Sequence, residues 1–152
     1  MEATKHAVTL YETRSTASGG RDGVVTSDDG HLDVKLDLPR ELGGRGGSGT
    51  NPEQLFAAAW AGCFLSAIYA VARGSADLSS VRLAVSISVL KSPTGDFDLA
   101  AALDLDSAGI DDALAAKLMH AAHEVCPYSR ATRGNIDAIL TVDGVKLADA
   151  AS

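Results

Sequence analysis

The sequence predicts an α+β fold, because its strand and helix signals occur in an order typical of that class. Alternating apolar residues and a hairpin signal mark strands in the first 38 residues and again from residue 81, while residues 52–73 and 111–125 have helical features. The length of 152 residues and the hydrophobic fraction of 46% suit one domain with a sizeable core. We therefore expect one domain over residues 1–152, in which residues 147–152 form a flexible tail of small residues.

The N-terminal part is expected to contain strands at residues 6–16 and 24–38. The second segment is interrupted at Asp29-Gly30, and an Asp-Gly step between apolar runs is a strong hairpin signal. Pro39 then ends the run, because proline cannot donate a hydrogen bond to a sheet.

A long central helix is expected to follow, with Asn51 as its cap, Pro52 in its first turn and Glu53 near the positive end of its dipole. Residues 55–72 carry no charge, which approaches the ~20 residues that cross a bilayer. Seven of these 18 residues are alanine and no second span exists, so a buried core helix ending near residue 73 is expected instead. A helix that is apolar on every side needs cover on every side, which points to a partner subunit.

The C-terminal half begins with the strongest strand signal, at residues 81–92, where apolar and polar residues alternate. A turn leads into a partner strand at residues 97–105. A second helix is expected at residues 111–125, ended by Pro127, and a last short strand at residues 136–142.

The charge of the chain argues against two classes of partner. A formal net charge of −7 and a pI near 4.9 provide no concentrated basic surface for nucleic acid or for an anionic membrane. The first 15 residues place charges where a signal peptide needs an apolar core. We therefore expect a cytoplasmic protein.

The glycine-rich loop at residues 43–49 suggests a nucleotide site at first sight. It contains the pattern G-x-G-x-x-G at Gly44, Gly46 and Gly49. A dinucleotide site needs the first glycine directly after a strand and the last inside a helix, whereas Pro39 and Pro52 separate the loop from both. A P-loop needs a lysine before Thr50, and none is present. A nucleotide site is therefore not expected.

A metal site is not expected either. His120, His123 and Cys126 are spaced at i, i+3 and i+6, so the outer two side chains project about 120° apart on a helix and do not converge on one ion. We expect partly exposed histidines that complement the helix dipole.

The two cysteines, Cys63 and Cys126, are expected to be thiols in a reducing cytosol, and two buried thiols without a role remain one interpretation. Burial in an apolar helix raises the pKa of a thiol, so reactivity of Cys63 requires a nearby cation. Arg73 lies about 15 Å away along the helix, which is too far. An activating group must come from another segment or another subunit.

Two long segments carry a family resemblance. Residues 19–67, GGRDGVVTSDDGHLDVKLDLPRELGGRGGSGTNPEQLFAAAWAGCFLSA, and residues 124–136, EVCPYSRATRGNI, resemble the organic hydroperoxide resistance (Ohr) branch of the Ohr/OsmC family. The resemblance implies an intertwined homodimer, with a long buried central helix packed against antiparallel sheets and two active sites at the subunit interface. It also implies a thiol-based organic hydroperoxide reductase that acts in the oxidative stress response without a bound cofactor or metal.

By position, the resemblance assigns roles to four residues. Cys63 matches the peroxidatic cysteine and Cys126 the resolving cysteine, which together form a disulfide during turnover. Arg21 matches the arginine that stabilises the thiolate, and Glu53 matches the glutamate that orients this arginine. The implied reductant is an external dithiol, a dihydrolipoyl group on a lipoylated protein. We expect Cys126, at a helix end, to be more exposed than Cys63 and to receive that dithiol.

The substrate pocket is expected to include Trp60, Phe64 and Tyr128. Such an apolar wall favours alkyl or lipid hydroperoxides over hydrogen peroxide, since burial of each CH₂ contributes about 0.8 kcal/mol. Ordinary core packing is the other interpretation of Trp60 and Phe64. The rival functional class is a non-catalytic redox sensor or apolar-ligand-binding protein, although the sequence has no helix-turn-helix motif and no basic patch.

Overall fold

The structure is a computed structural model that describes residues 7–149. Its contacts divide the chain into two compact units, Met1–Pro52 and Glu53–Ser152. Within the described residues, three α-helices and two sheets form these units, which confirms the predicted α+β class.

The N-terminal unit is built on a three-stranded antiparallel sheet in the order β1-β2-β3. The strands are Ser15–Ser18, Val24–Ser27 and Asp33–Lys35. A short 3₁₀ helix, Gly20–Asp22, connects β1 to β2, and the preceding Gly19 has a φ of 79°, a left-handed conformation that glycine adopts without strain. The predicted hairpin at Asp29-Gly30 joins β2 to β3 and is confirmed.

The first strand is shorter than predicted, and its position differs. Residues 7–14 have no regular secondary structure, and residue 6 lies outside the described residues. The register explains this difference, because Ser15 pairs with Ser27 and the chain of β2 turns into the hairpin immediately afterwards. The Arg14 carbonyl still accepts a hydrogen bond from the Asp28 amide at 3.0 Å, but the strand pairing itself ends at Ser15 and Ser27.

The glycine-rich loop follows a 3₁₀ helix, Arg40–Leu42, and packs against the carboxylate of Asp37. The amide of Gly49 donates a hydrogen bond to this carboxylate, and this bond and the nearby Lys35 hold the pKa of Asp37 below its ordinary value. A Cβ atom on Gly47 would collide with the same carboxylate. The loop therefore needs its glycines for a close internal contact, and its Gly49 donor is already occupied by an acidic side chain.

The C-terminal unit contains a four-stranded sheet in the order β4-β5-β6-β7. The strands are Arg82–Lys91, Phe97–Asp106, Ala138–Val142 and Val145–Lys146. The predicted strands at residues 81–92, 97–105 and 136–142 are confirmed, whereas the two-residue β7 was not predicted. The strand pairs of this sheet are antiparallel, as expected, except that β6 pairs with β5 in parallel. A long helical crossover between these strands returns the chain to the same end of the sheet, which produces parallel pairing.

The three helices of this unit are α1 (Pro52–Ala72), α2 (Asp112–Val125) and α3 (Pro127–Thr132). The side chain of Asp111 caps α2 by accepting a hydrogen bond from the amide of Leu114 at 3.0 Å. Pro127 ends α2 as predicted, but it also begins α3, which was not predicted. Proline is favoured in the first turn of a helix, where its missing N–H leaves no bond unmade.

One stripe of α1 lies in the core, beside one face of the sheet and the inner face of α2. Its buried residues are Trp60, Phe64, Ala67, Ile68 and Ala72. Side chains from β5 and α2, including Leu103, Leu105 and Met119, belong to the same cluster. This core positions the middle of α1, where Cys63 lies.

The opposite face of α1 is exposed in the single chain and consists mainly of small residues, namely Ala58, Ala59, Gly62, Ser66 and Ala70. Among the described residues, α1 is the one helix long and apolar enough to cross a membrane, with 28% of its apolar window buried within the chain. A single helix of this kind is weak support for a membrane span, since core helices have the same length and composition. Its contribution to the core cluster favours the core helix that was predicted.

Candidate active site

Cys63 and Cys126 come together in the C-terminal unit, although 63 positions separate them in the sequence. Cys63 lies in the middle of α1 and is half-buried. Cys126 is the single residue between α2 and α3 and is fully buried. Its amide donates a hydrogen bond to the carbonyl of Ala122, and its carbonyl accepts one from the amide of Arg130. The backbone of Cys126 is therefore held by both helices.

The two thiols interact directly through a hydrogen bond between their side chains. Burial raises the pKa of the Cys63 thiol, and the charge and hydrogen bond of Cys126 raise this pKa further. The backbone amide of Tyr128 opposes these effects by donating a hydrogen bond to the Cys63 sulfur. This upward shift of the Cys63 pKa confirms the prediction that burial in an apolar helix disfavours the thiolate. The two thiols are neighbours, and the raised pKa disfavours the Cys63 thiolate unless positive charge is added nearby.

The expected order of exposure is wrong. Cys126 was expected to be more exposed than Cys63, whereas the structure buries Cys126 completely and leaves Cys63 partly exposed. The turn before Pro127 does not lie on the surface, because α3 follows at once and folds Cys126 into the core cluster. The expectation that an external dithiol attacks Cys126 was derived from the predicted exposure of Cys126, and the observed burial does not support it.

Three aromatic side chains from α1 and α3, the helices next to the thiol pair, pack against one another. The ring centroids of Phe56 and Trp60 are 5.5 Å apart, and those of Phe56 and Tyr128 are 6.3 Å apart. Phe56 was not predicted as a site residue, although its i, i+4 spacing from Trp60 places the two on one helix face. Trp60 is fully buried, whereas Tyr128 is 37% exposed.

Phe64, the remaining predicted pocket residue, points elsewhere. It is fully buried, and its ring centroid lies 6.4 Å from that of His123 on α2. This position favours the core-packing interpretation of Phe64. The geometry therefore groups Trp60 and Tyr128 around Phe56. The pocket role of Trp60, Phe64 and Tyr128 stays a prediction.

Both histidines of α2 are partly exposed, as expected, but His123 does not act as a simple complement of the helix dipole. The Nδ1 atom of His123 is buried without a hydrogen-bond partner, and burial and the nearby Arg133 lower the pKa of this histidine. A neutral His123 gives little support to the helix dipole. Arg133 supplies the cation instead, because its Nη2 atom donates to the carbonyl of His123 at 2.7 Å. No group of three or more acidic, histidine or cysteine side chains within residues 7–149 is placed to hold a metal ion.

Arg21 and Glu53 lie in different parts of the chain. Arg21 is in the 3₁₀ helix Gly20–Asp22 of the N-terminal unit, and Glu53 is in the first turn of α1. Both residues take part in interactions within the structure. Their roles toward Cys63 remain predictions.

The profile of the OsmC-like protein family matches residues 44–141 of this chain. An organic hydroperoxide resistance protein of Xanthomonas axonopodis pv. citri is 49% identical over 135 residues, which cover 88% of this chain and 94% of the relative.

Two solved structures have the same fold. The organic hydroperoxide resistance protein OsmC of Legionella pneumophila aligns with a TM-score of 0.82 and 46% identity, over 89% of this chain and 98% of its own. OhrB of Bacillus subtilis aligns with a TM-score of 0.78 and 39% identity, over 88% and 99%. The chain therefore belongs to the OsmC-like family, within which its relatives are the organic hydroperoxide resistance proteins.

Proposed function

We propose that this protein is a cysteine-based peroxidase that reduces organic hydroperoxides to alcohols and is recycled by a dithiol. The observation that carries the proposal is the direct contact between the Cys63 and Cys126 thiols in a member of this family. A lone buried thiol would have no nearby partner to form an internal disulfide. A second thiol in contact converts an oxidised cysteine into a disulfide before further oxidation occurs.

In the first step, the Cys63 thiolate attacks the O–O bond of the hydroperoxide ROOH. A sulfur–oxygen bond forms, the O–O bond breaks, and the leaving alkoxide takes up a proton to give the alcohol ROH. Cys63 is thereby oxidised to a sulfenic acid. The proposed role of Arg21, oriented by Glu53, is to lower the pKa of Cys63 and to stabilise the developing negative charge.

In the second step, the Cys126 sulfur attacks the Cys63 sulfenic acid. The disulfide forms, the sulfur–oxygen bond breaks, and water leaves. A dithiol then reduces the disulfide by thiol exchange and is itself oxidised to a cyclic disulfide. We propose a dihydrolipoyl group on a lipoylated protein as this dithiol, because the second sulfur completes the exchange within one molecule at high effective concentration.

The proposed substrates are alkyl or lipid hydroperoxides, because the helices that hold the thiols also carry the aromatic cluster of Phe56, Trp60 and Tyr128, which would favour an apolar tail. We also propose a cytoplasmic homodimer in which the small-residue face of α1 is covered by a second copy of the chain. Ala58 lies midway between Glu53 and Cys63, so an antiparallel crossing at Ala58 brings Glu53 of one helix level with the partner's Cys63.

Steady-state assays with matched peroxides and reductants test the proposal. We expect faster turnover with cumene hydroperoxide than with hydrogen peroxide, and faster turnover with dihydrolipoamide or dithiothreitol than with glutathione. If peroxide oxidises the thiols once but no dithiol supports repeated turnover, the result would instead support a redox sensor. Equal rates with monothiols and dithiols would contradict the proposed recycling step.

A further inference from the structure

A buried hydrogen bond connects the two helices that hold the thiols. The indole N–H of Trp60 on α1 donates to the hydroxyl of Ser129 on α3 at 3.2 Å. Both residues have no exposed surface. A buried indole N–H needs an acceptor, and a buried hydroxyl needs a partner, so this one contact satisfies both groups.

The positions of the bonded residues mirror those of the cysteines. Trp60 precedes Cys63 by three residues on α1, and Ser129 follows Cys126 by three residues at the start of α3. Residues three apart on a helix lie on the same side, about one turn from each other. The Trp60–Ser129 bond and the Cys63–Cys126 contact therefore cross the same gap between helices, one turn apart.

Besides this bond, α3 is linked to α1 by the Tyr128 amide, which bonds to the Cys63 sulfur, and by the ring contact of Tyr128 with Phe56. The polar contacts of Arg133 hold the end of α3 to α2, through the His123 carbonyl and Glu124. The hydroxyl of Thr132 bonds only to carbonyls of α3 itself, those of Tyr128 and Ser129. Neither of these side chains ties α3 to α1.

We infer that Ser129 is a positioning residue for the disulfide-forming step, and that its hydrogen bond to Trp60 keeps the Cys126 sulfur within reach of oxidised Cys63. The inference rests on the proposed peroxidase function. Holding two reacting groups in position raises the rate of the step between them without changing their chemistry. The hydrogen bond is thus expected to act on the second oxidation step and to leave the attack of Cys63 on peroxide unchanged.

The rate of the second step decides the fate of the Cys63 sulfenic acid. Attack by Cys126 gives the disulfide and water, whereas attack by the sulfenic acid on a second ROOH gives a sulfinic acid and ROH. The peroxide concentration at which half of Cys63 becomes sulfinic acid equals the ratio of these two rate constants. A slower disulfide step therefore makes the protein more sensitive to inactivation by excess peroxide.

Rapid-quench mass spectrometry of the reduced full chain with cumene hydroperoxide tests the inference in Ser129→Ala. We expect the rate of disulfide formation to fall about three- to tenfold, as for loss of one buried hydrogen bond. The peroxide concentration that gives half sulfinic acid should fall by the same factor. The second-order rate of Cys63 oxidation should stay at the wild-type value.

Thr132→Val is the matched control, since it removes a hydroxyl from the same helix without touching α1. It should form the disulfide at the wild-type rate. Trp60→Phe removes the other half of the bond, and the double variant with Ser129→Ala should be no slower than the slower single variant. Thermal unfolding of every variant checks that it is folded. If Ser129→Ala does not fold, the rate of disulfide formation in Trp60→Phe carries the test, and the first oxidation step of this variant is not used because Trp60 belongs to the proposed substrate site.

Four results would overturn the inference while leaving the proposed function intact. These are a wild-type rate of disulfide formation in Ser129→Ala, an equal loss in Thr132→Val, parallel losses in both oxidation steps, or additive effects of the two substitutions. A wild-type protein that forms no internal disulfide would instead overturn the proposed two-cysteine function itself, and this inference with it.

Discussion

The chemistry of Cys63 is set by two opposing influences on its thiol. Burial and the adjacent Cys126 raise its pKa, and the Tyr128 amide lowers it. A thiol with a raised pKa is mostly protonated at neutral pH and reacts slowly as a nucleophile. The proposed peroxidase therefore depends on a cation that reverses this balance, and Arg21 is the proposed source.

Serine substitutions should separate the roles of the two cysteines. Cys63→Ser should abolish peroxide reduction and keep the fold, because serine has a similar size but supplies no thiolate. Cys126→Ser should consume one equivalent of peroxide to form a sulfenic acid at Cys63, and under excess peroxide a second equivalent should convert it to sulfinic acid. Peroxide consumption and peptide mass spectrometry measure both outcomes. Substantial turnover by folded Cys63→Ser would rule out Cys63 as the nucleophile.

Arg21→Ala should shift the pH dependence of the first oxidation step to higher pH. Removal of a cation raises the pKa of the reactive thiol, and each unit lowers the thiolate fraction at pH 7 about tenfold. The rate should therefore recover as pH rises through the new pKa, whereas Arg21→Lys should restore part of the rate at neutral pH. The pH profile of Cys63 alkylation measures this directly. An identical profile in wild type and Arg21→Ala would show that another group activates the thiol.

The sequence singled out Cys63 and Cys126 but did not predict how they are placed. The two cysteines were identified from motifs, and the physical expectation of a raised Cys63 pKa is confirmed. The predicted order of their exposure was wrong because α3 buries Cys126. This helix was not predicted, since Pro127 was interpreted only as the end of α2. Phe56 and Ser129 were missed because an aromatic residue on a helix and a serine after proline have no distinctive local pattern.

The longer helices and strands of the C-terminal unit follow from local signals, whereas α3 and β7 do not. The alternation in β4, the apolar run of α1 and the acidic start of α2 each predicted an element within about two residues of its observed bounds. The first strand was misplaced and β7 was missed, because the ends of such strands are fixed by their pairing partners. Pairing partners are distant in sequence and cannot be deduced from a local period.

The cap of α2 provides a stability test at the level of one element. Asp111→Ala removes the acceptor for the amide of Leu114 and should lower the free energy of unfolding by about 1 kcal/mol. Asp112→Ala is the matched control, because it removes a carboxylate from the same turn while the cap hydrogen bond is accepted by Asp111. Its loss should be only a few tenths of a kcal/mol, and urea unfolding measures both. Equal losses would show that charge in the first turn matters and the cap does not.

The prediction for the assembled molecule concerns the small-residue face of α1, where a second copy of the chain is proposed to pack. We expect Ala58→Arg to prevent close approach of two central helices, which should give a monomer with little peroxidase activity. Ala113→Arg, on the exposed face of α2, places the same charge elsewhere and should leave the assembly and activity unchanged. Sedimentation velocity and steady-state assays measure both variants. A fully active monomer, or an Ala58→Arg dimer with wild-type activity, would contradict the proposed crossing.

Oxidation of the reduced protein by one equivalent of cumene hydroperoxide tests the central claim most directly. The proposal predicts one equivalent of the alcohol, a loss of about 2 Da from the intact chain, and a cross-linked peptide that joins Cys63 to Cys126. Accumulation of Cys63 sulfenic acid with no internal disulfide would contradict the two-cysteine mechanism. Formation of the alcohol with both thiols still reduced would contradict the assignment of either cysteine to the reaction.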